Sequence, residues 1–224
     1  MLWEHTAGGR IDSPPTIYKG LVIFGCADGW VYCLRASDGE LVWRFRAAPE
    51  DRRIVAYDQL ESVWPVHGSV LVVNDALYFA AGRSSFLDGG IYLYKLDPVT
   101  GERLVVRRID SRDPKTGEEP RGVIKGTDMP GALPDVLSSD GESIFMRHLA
   151  FDLDCRPRKE RIPHLFSPAG FLDDSWWHRT YWIIGTKMKA GWGGWWRVGN
   201  VEHSGRLLVL DGENVYGYGR TRYG

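Results

Sequence analysis

The feature that most constrains this chain is a hairpin signal that recurs five times along its 224 residues. Each copy has an apolar strand, a short polar turn and a second strand rich in aromatic or β-branched residues, which is the pattern of a β-hairpin. The spacing between turns is roughly 30 to 70 residues, the size of a structural repeat. The five turns are Lys19–Gly20, Asn74–Asp75, Asp140–Gly141, Asp173–Asp174 and Asp211–Gly212.

Two further strands follow the hairpin in the first two units. Trp30–Leu34 leads through a turn to Leu41–Phe45, and Ile91–Leu96 leads in the same way to Arg103–Val106. Four antiparallel strands in sequence order make one propeller blade. We therefore predict an all-β chain, a β-propeller of four-stranded antiparallel blades with four to five blades present, forming a single domain over residues 1–224.

The two ends of the chain fall inside predicted blades. Leu2–His5 is similar to the end of a fourth strand such as Leu41–Arg44, and the chain stops soon after the second strand of the fifth unit. Because a propeller protects its sheet edges by closing the ring, we expect a partial ring that belongs to a larger propeller. A small closed ring, completed by the N-terminal strand, is the alternative.

Two segments between the predicted strands differ from the hairpin pattern. Residues 111–121 are charged, contain glycine and proline and have few apolar side chains, so we expect a surface loop. Residues 49–60 place Ile54, Val55 and Leu60 at a spacing compatible with one face of a helix, which predicts a short helix.

Charge and cysteine usage exclude several function classes. The 28 basic and 29 acidic residues are mixed along the chain, so we expect no nucleic-acid partner. No apolar run is long enough to span a membrane, and the N-terminus lacks the pattern of a signal peptide. The three cysteines lack the spacing of metal or redox sites. Cys26 and Cys33 lie diagonally across a predicted hairpin, at a distance of roughly 7 Å that is long for a disulfide, so we expect free thiols. No phosphate-binding loop or serine nucleophile elbow is present.

Two turns carry a family resemblance. Residues 36–43 and 97–102 resemble the repeat of the pyrroloquinoline-quinone-like propellers, whose blades carry the stretch Ala-x-Asp-x-x-Thr-Gly-Lys-x-x-Trp. Trp43 stands at the tryptophan position of the first turn, with Arg35 where the aspartate would be. The second turn keeps the aspartate, threonine and glycine but has valine in place of tryptophan.

The resemblance implies one of two kinds of protein. Quinone-dependent dehydrogenases stack the quinone on a tryptophan, hold a calcium ion and often cover the ring with a vicinal disulfide, whereas outer-membrane assembly lipoproteins use the propeller as a scaffold without a cofactor. This chain has no adjacent cysteines, which favours the scaffold. We therefore expect a non-catalytic binding or assembly scaffold without a cofactor.

The same resemblance implies where the chain works and what it meets. It indicates a bacterial extracytoplasmic protein, periplasmic or in the cell envelope, that binds a protein partner or a small-molecule or glycan ligand. A fragment of a dehydrogenase that uses pyrroloquinoline quinone with calcium is the first alternative. A carbohydrate-binding propeller is the second.

The candidate ligand-binding residues are charged or aromatic side chains in loops and at strand ends. They are Arg83, Asp88, Arg147, His148, Asp174, Trp177, His178, Arg179, Trp195 and Trp196. For each of them a structural role is the favoured explanation, as a turn residue, a solvated loop charge or a tryptophan packed between blades. None is expected to be catalytic or to bind a metal ion.

The scaffold interpretation predicts that the chain does not respond to the quinone. Adding pyrroloquinoline quinone with calcium at tens of micromolar is expected to leave tryptophan fluorescence unchanged, because no cofactor stacks on an indole. The quinone with a calcium chelator is the control for absorption of the exciting light. Saturable quenching that requires calcium would favour the dehydrogenase alternative.

Overall fold

The computed structural model describes residues 2–56, 58–113, 115–118, 134–167, 182–186, 203–205 and 207–218. Every regular element in these ranges is a β-strand. The strands are β1 Thr16–Tyr18, β2 Leu21–Gly25, β3 Trp30–Arg35, β4 Leu41–Arg46, β5 Arg53–Ala56, β6 Gln59–Ser62, β7 Leu71–Val73, β8 Ala76–Ala81, β9 Ile91–Leu96, β10 Arg103–Ile109, β11 Ser138–Ser139, β12 Ser143–Met146, β13 Leu149–Asp152, β14 His164–Phe166, β15 Trp182–Gly185, β16 His203–Gly205, β17 Leu207–Asp211 and β18 Asn214–Tyr218. Within the described ranges there is no helix of the length and apolarity needed to cross a membrane.

The sheets have the order of propeller blades. Blade 1 consists of β1 to β4 and blade 2 of β7 to β10, each a four-stranded antiparallel sheet whose strands follow one another in sequence. Blade 3 contains β11 to β13, blade 4 contains β14 to β16, and the hairpin β17–β18 forms a fifth sheet. The predicted all-β propeller architecture is therefore confirmed, with five blade-like sheets among the described residues.

The first two predicted turns are confirmed by their backbone geometry. Lys19 and Gly20 have φ values of 46° and 78°, and Asn74 and Asp75 have 49° and 57°. Positive φ at both central residues is the conformation of a type I′ hairpin turn, whose twist matches that of the flanking strands. The short polar turns thus fix the register of the first hairpin in both complete blades.

The later turns follow the sequence pattern less closely. The turn at Asp140–Gly141 joins β11 to β12 as predicted, whereas the last turn lies one residue later, at Gly212–Glu213 between the paired residues Asp211 and Asn214. Asp173–Asp174 lies outside the described residues.

The predicted hairpin of the fourth unit, around the turn Asp173–Asp174, lies mostly outside the described residues. Its last residues belong to β15, which pairs with His164–Phe166 on one side and with β16 on the other. His164 and Phe166 are buried while Leu165 between them is exposed. The alternation is therefore present in β14, but a histidine takes a buried position that an apolar pattern does not count.

The predicted helix at residues 49–60 is wrong, because β5 and β6 form a hairpin there. Val55 pairs with Leu60 across this hairpin, and Asp58 has a φ of 58°, a turn conformation that a helix does not contain. The spacing that placed these apolar residues on one helical face fits a cross-strand pair equally well. β-branched residues such as Ile54 and Val55 favour the strand.

The central strands of the blades are buried on both faces. In β8, Leu77, Phe79 and Ala81 pack toward blade 1, whereas Tyr78 and Ala80 pack toward blade 3. A blade thus lies between two neighbours, so its inner strands are apolar throughout rather than alternating. The first strands of blades 1 and 2 lie side by side, since the Thr16 hydroxyl donates to the carbonyl of Val70 over 2.5 Å.

An indole joins blade 1 to the outer turn of blade 2. Trp43 of β4 donates its Nε1–H to the carbonyl of Pro98 over 3.2 Å. Its ring lies over Gly101, where a Cβ atom would come within 2.7 Å of the indole. Gly101 has a φ of 73°, so glycine meets two requirements here, the left-handed backbone and the close approach of the ring.

The same contact is made at blade 1 by the N-terminal segment. Trp3 donates its Nε1–H to the carbonyl of Ala36 over 2.9 Å, and its ring lies over Gly39, whose φ is 75°. The predicted strand at Leu2–His5 is absent, because residues 2–15 contain no strand. The tryptophan nevertheless occupies the position that Trp43 has at the next blade.

Substituting the two kinds of turn glycine should separate the docking contact from backbone strain. Gly101→Ala and Gly141→Ala both force a left-handed alanine, at a cost of about 1–2 kcal/mol, but Gly141 has open space around it. We expect Gly101→Ala to be more destabilising by about 1–3 kcal/mol, because its methyl group displaces the indole. Urea unfolding of both variants measures the difference, and equal losses would contradict a docking role.

Candidate functional site on the loop rim

The loop connections of the blades meet at one edge of the structure. Because consecutive strands are antiparallel, the β2–β3, β8–β9 and β12–β13 connections and the segments between blades share one edge, which we call the loop rim. Arg83 and Asp88 lie in the β8–β9 connection, and Arg147 and His148 form the β12–β13 turn. The remaining candidates, Asp174, Trp177, His178, Arg179, Trp195 and Trp196, lie outside the described residues.

Arg83 belongs to a buried ion-pair cluster. Glu61, at the end of β6, has a side chain that is 1% exposed. Arg83 donates to Glu61 over 2.5 Å and to the carbonyl of Ser62 over 3.3 Å, and the guanidinium of Arg10 lies 3.0 Å from the same carboxylate. A buried carboxylate is stable only when its charge is compensated, so the two arginines fasten the β5–β6 hairpin to the loop rim.

Arg10 also connects this cluster to Asp12 and His67. Asp12 accepts hydrogen bonds from Arg10 and from the imidazole Nδ1 of His67. Burial by itself would raise the pKa of Asp12, but the hydrogen bonds from His67 and Arg10 outweigh it and lower the pKa to about 2. The Asp12 carboxylate is therefore ionised at neutral pH, and it joins the segment before blade 1 to the segment before blade 2.

Asp88 has a structural role in its loop. Its carboxylate pairs with Arg52, and its carbonyl accepts a hydrogen bond of 3.0 Å from Nε1 of the buried Trp64. The Arg52 guanidinium lies over the Trp64 ring, 5.0 Å from its centroid, so a cation–π contact completes the group. Asp88 thus orders the β8–β9 connection against the segment between the blades.

Arg147 and His148 lie on blade 3 in different surroundings. Arg147 is 8% exposed, with its Nε 3.9 Å from the buried carboxylate of Asp135. Its carbonyl oxygen lies 2.5 Å from Nε2 of His164, whose ring stacks on Phe145 at a centroid distance of 4.1 Å. These contacts hold the turn against blade 4.

His148 borders a cavity of about 440 Å³ between blades 2 and 3. The cavity wall carries four cationic side chains and two acidic ones, together with apolar atoms of β13. The charged members are Arg108, Arg158, Lys159, Arg161, Asp110 and Glu160. The buried Nδ1 of His148 has no hydrogen-bond partner among the described residues. Burial, followed by the nearby Arg147 and His164, lowers the pKa of His148 to about 4.

The described residues contain no cluster of ionisable metal ligands. Among them, no three histidine, cysteine, aspartate or glutamate side chains converge on a point where a metal ion would bind. Five carboxylates of the loop rim are paired with arginine or histidine; they are Asp12, Glu61, Asp88, Asp110 and Asp135.

Sequence reasoning missed the ion-pair cluster. The cluster joins residues that are distant in sequence, namely Arg10, Glu61, His67 and Arg83. Glu61 also follows directly after residues 49–60, for which we predicted a helix and not a hairpin. A usable signal was present, because Glu61 stands close to the apolar Leu60, Val63 and Trp64, where a buried acid requires a cationic partner.

Cys26 and Cys33 are free thiols, as predicted, and Cys155 is free as well; all three are buried. Burial raises the pKa of Cys26, Cys33 and Cys155 to about 12. Thiolates are the reactive form of cysteine, so these side chains act as small apolar groups in the core.

The lowered pKa of His148 predicts a loss of stability in mild acid. The unfolded chain takes up a proton near pH 6.5, whereas the folded chain does so only near pH 4, so the free energy of unfolding falls as the pH drops through this window. His148→Gln should reduce that fall, measured by urea unfolding across the window. His203→Gln, at an exposed histidine of β16, is the matched control, and an equal effect of both variants would contradict the prediction.

Comparison with known proteins gives one match in sequence. No family model matches the chain. The outer membrane protein assembly factor BamB of Burkholderia pseudomallei is 42% identical over 57 residues, which are 25% of this chain and 15% of that protein. The chain therefore corresponds to a small part of this relative's length.

Two solved structures are similar in fold. BamB from Moraxella catarrhalis is 16% identical with a TM-score of 0.47, and the alignment covers 84% of this chain and 52% of that one. A quinohemoprotein alcohol dehydrogenase from Comamonas testosteroni is 14% identical with a TM-score of 0.49, covering 80% and 34% of the two chains.

Neither superposition reaches a TM-score of 0.5, so the resemblance rests on the local sequence match, the blade topology and the glycine turns. These three observations agree with one another. The predicted resemblance is confirmed, and the chain is similar to the pyrroloquinoline-quinone-like β-propellers, the group of repeat proteins that includes BamB.

Proposed function

We propose that this chain is a non-catalytic propeller scaffold of the bacterial cell envelope that binds a protein partner. The observation that carries the proposal is the 42% identity with an outer membrane protein assembly factor over 57 residues. The proposal extends to the absence of a cofactor, to an extracytoplasmic location and to a role in assembling other envelope proteins.

The electrostatics of the loop rim support binding rather than chemistry. A general acid or base needs a group that is free to exchange a proton near neutral pH. Asp12, with its pKa of about 2, and His148, with its pKa of about 4, both keep one protonation state at neutral pH. The carboxylates of Glu61 and Asp88 are held in ion pairs with Arg83 and Arg52, which order the adjacent loops.

The hairpin β5–β6 is the surface that we propose for the partner. One side of the hairpin is fastened through Glu61, which Arg10 and Arg83 hold. On the other side, Val55 and Leu60 pair across the strands and are 78% and 55% exposed. An anchored hairpin that presents apolar side chains to solvent is a suitable contact for another protein.

The strand edges of this hairpin strengthen the argument. Among the described strands, β5 and β6 pair only with each other. The outer edge of β6 is bonded at Ser62, whose amide donates to the carbonyl of Ala27 over 2.9 Å, whereas the outer edge of β5 pairs with no described strand. An extended segment of a partner can add a strand to such an edge through main-chain hydrogen bonds, while apolar pockets and side chains select the sequence. The proposed partner segment is therefore an extended, apolar stretch of an envelope protein.

Replacing the exposed pair should abolish capture of the partner. The chain and its Val55→Asp/Leu60→Asp variant are immobilised and incubated with detergent-solubilised outer membranes, and bound proteins are identified by mass spectrometry. We expect an outer-membrane assembly component to be enriched at least tenfold on the unaltered chain, because a charge in an apolar contact costs more than the roughly 1.4 kcal/mol that a tenfold change represents.

A second variant controls for unspecific effects of added charge. Ile17→Asp changes an exposed apolar residue of β1 that is 65% exposed and lies outside the hairpin. This variant should capture the partner as the unaltered chain does. Equal capture by the hairpin variant, or proteins of the cytosol as the main product, would contradict the proposal.

A further inference from the structure

The outer edge of β5 carries main-chain groups that no described strand uses. Val63 lies opposite Arg52 in the hairpin, and its amide donates to the carbonyl of Arg52 over 3.1 Å. Because bonded and non-bonded pairs alternate along an antiparallel ladder, the N–H and C=O groups of Arg53 and Val55 point away from β6. The residue opposite Arg53 agrees with this, since the amide of Ser62 donates outside the hairpin. Neither Arg53 nor Val55 has a main-chain hydrogen bond to another described element.

A pocket of about 240 Å³ adjoins the start of this edge. Arg53, the first residue of β5, lines it together with residues of β4, the β2–β3 turn and the segment between the blades. The other charged residues of the lining are Asp28, Arg44, Arg46, Glu50 and Asp51. We call it the arginine pocket, after Arg44, Arg46 and Arg53. A strand added to the outer edge of β5 has one of its ends at this pocket.

Two of the three guanidinium groups are oriented by uncharged partners. The Arg44 guanidinium lies over the Trp30 ring, 4.7 Å from its centroid. Arg46 donates from Nε to the carbonyl of Ala48 over 3.1 Å and from Nη2 to the carbonyl of Pro49 over 3.2 Å. Neither guanidinium has a carboxylate oxygen within 4 Å among the described residues. Since a guanidinium has five N–H donors, both keep donors for a further acceptor.

The carboxylates of the pocket have other partners. Asp28 accepts from a main-chain amide over 3.0 Å and from the hydroxyl of Tyr32 over 2.6 Å. Asp51 pairs with Nε of Arg53 over 3.2 Å. Glu50 is exposed and forms no ion pair in the described part of the chain. The two arginines oriented by uncharged partners are therefore available to a carboxylate from another molecule.

We infer that the β5 edge takes an antiparallel strand of the partner protein, and that an acidic side chain at the C-terminal end of this strand enters the arginine pocket. In antiparallel pairing, the C-terminal end of the added strand lies beside the start of β5, where the pocket is. A carboxylate has two oxygens that match the fork of a guanidinium. The inference names the sequence character of the partner segment, and it rests on the proposed function.

A short capped peptide, acetyl-Thr-Val-Thr-Val-Thr-Glu-amide, is the probe, because it alternates as a strand does and ends in an acidic residue. The full chain, labelled with ¹⁵N, is titrated with the peptide up to millimolar concentration, since so short a strand binds weakly. We expect the amide signals of Arg53 and Val55 to shift and their hydrogen exchange to slow, because both amides gain an acceptor. The amide signals of β10, another outer strand, should stay in place.

The charge contact is tested by one change in the peptide and one pair of changes in the chain. Glutamine in place of the glutamate should weaken binding about fivefold, which is the effect of an exposed ion pair at the upper end of its usual range. Arg44→Gln/Arg46→Gln should make both peptides bind alike. Arg103→Gln/Arg107→Gln, at two exposed arginines of β10, is the matched control and should keep the preference. If the first variant fails to fold, Arg44→Gln alone, which leaves the bonds of Arg46 in place, decides the question.

The outcomes distinguish this inference from the proposed function. Slow exchange of the Val55 amide in the free chain overturns the inference, because another part of the chain then occupies the edge. No shift of Arg53 and Val55 at millimolar peptide, equal binding of both peptides, or a preference that survives in the Arg44 and Arg46 variant also overturns it. Capture of envelope proteins by the unaltered chain is a separate result, and its failure leaves the peptide titration unaffected.

Discussion

The contact between a tryptophan and a glycine turn is the interaction on which the blade arrangement depends. Blades bury both faces of their central strands, so each needs a neighbour at a fixed distance and angle. Trp43 supplies this link by reaching from β4 of blade 1 to the outer turn of blade 2, while the inner strands meet through Thr16 and Val70. Between these two contacts, the Tyr94 hydroxyl of blade 2 donates a hydrogen bond to the carbonyl of Ala47, which follows blade 1.

The loop rim shows a second constraint, that buried charge must be compensated. Glu61 at 1% exposure requires Arg10 and Arg83, and this requirement fastens the β5–β6 hairpin between two blades. Arg83, a ligand-binding candidate in the sequence, is thus a member of this ion-pair cluster. Asp88, another candidate, is held by Arg52 and Trp64. The charges of Glu61 and Asp88 are therefore held in ion pairs that order the loops of the rim.

The sequence predicted most of the local structure and little of the long-range contacts. The type I′ turns and the four strands of blades 1 and 2 follow from turn residues and apolar runs that act within one hairpin. The prediction failed at residues 49–60, where one apolar spacing fits both a helical face and the cross-strand pair of Val55 and Leu60. The sequence did not predict β14, because burial of His164 depends on stacking against Phe145 and on a carbonyl 17 residues away.

The turn that contains Asp113 and residues 115–118 illustrates the difference between what local sequence sets and what packing sets. The hydrogen bonds of this turn join groups within six residues, so local sequence is sufficient to produce the same bonds as in residues 97–102. Occupation of such a turn depends on an indole 33 or 55 residues away in the chain. Which of the described turns hold a tryptophan depends on the tertiary structure, because the packing of neighbouring blades, and not the turn, brings the ring into place.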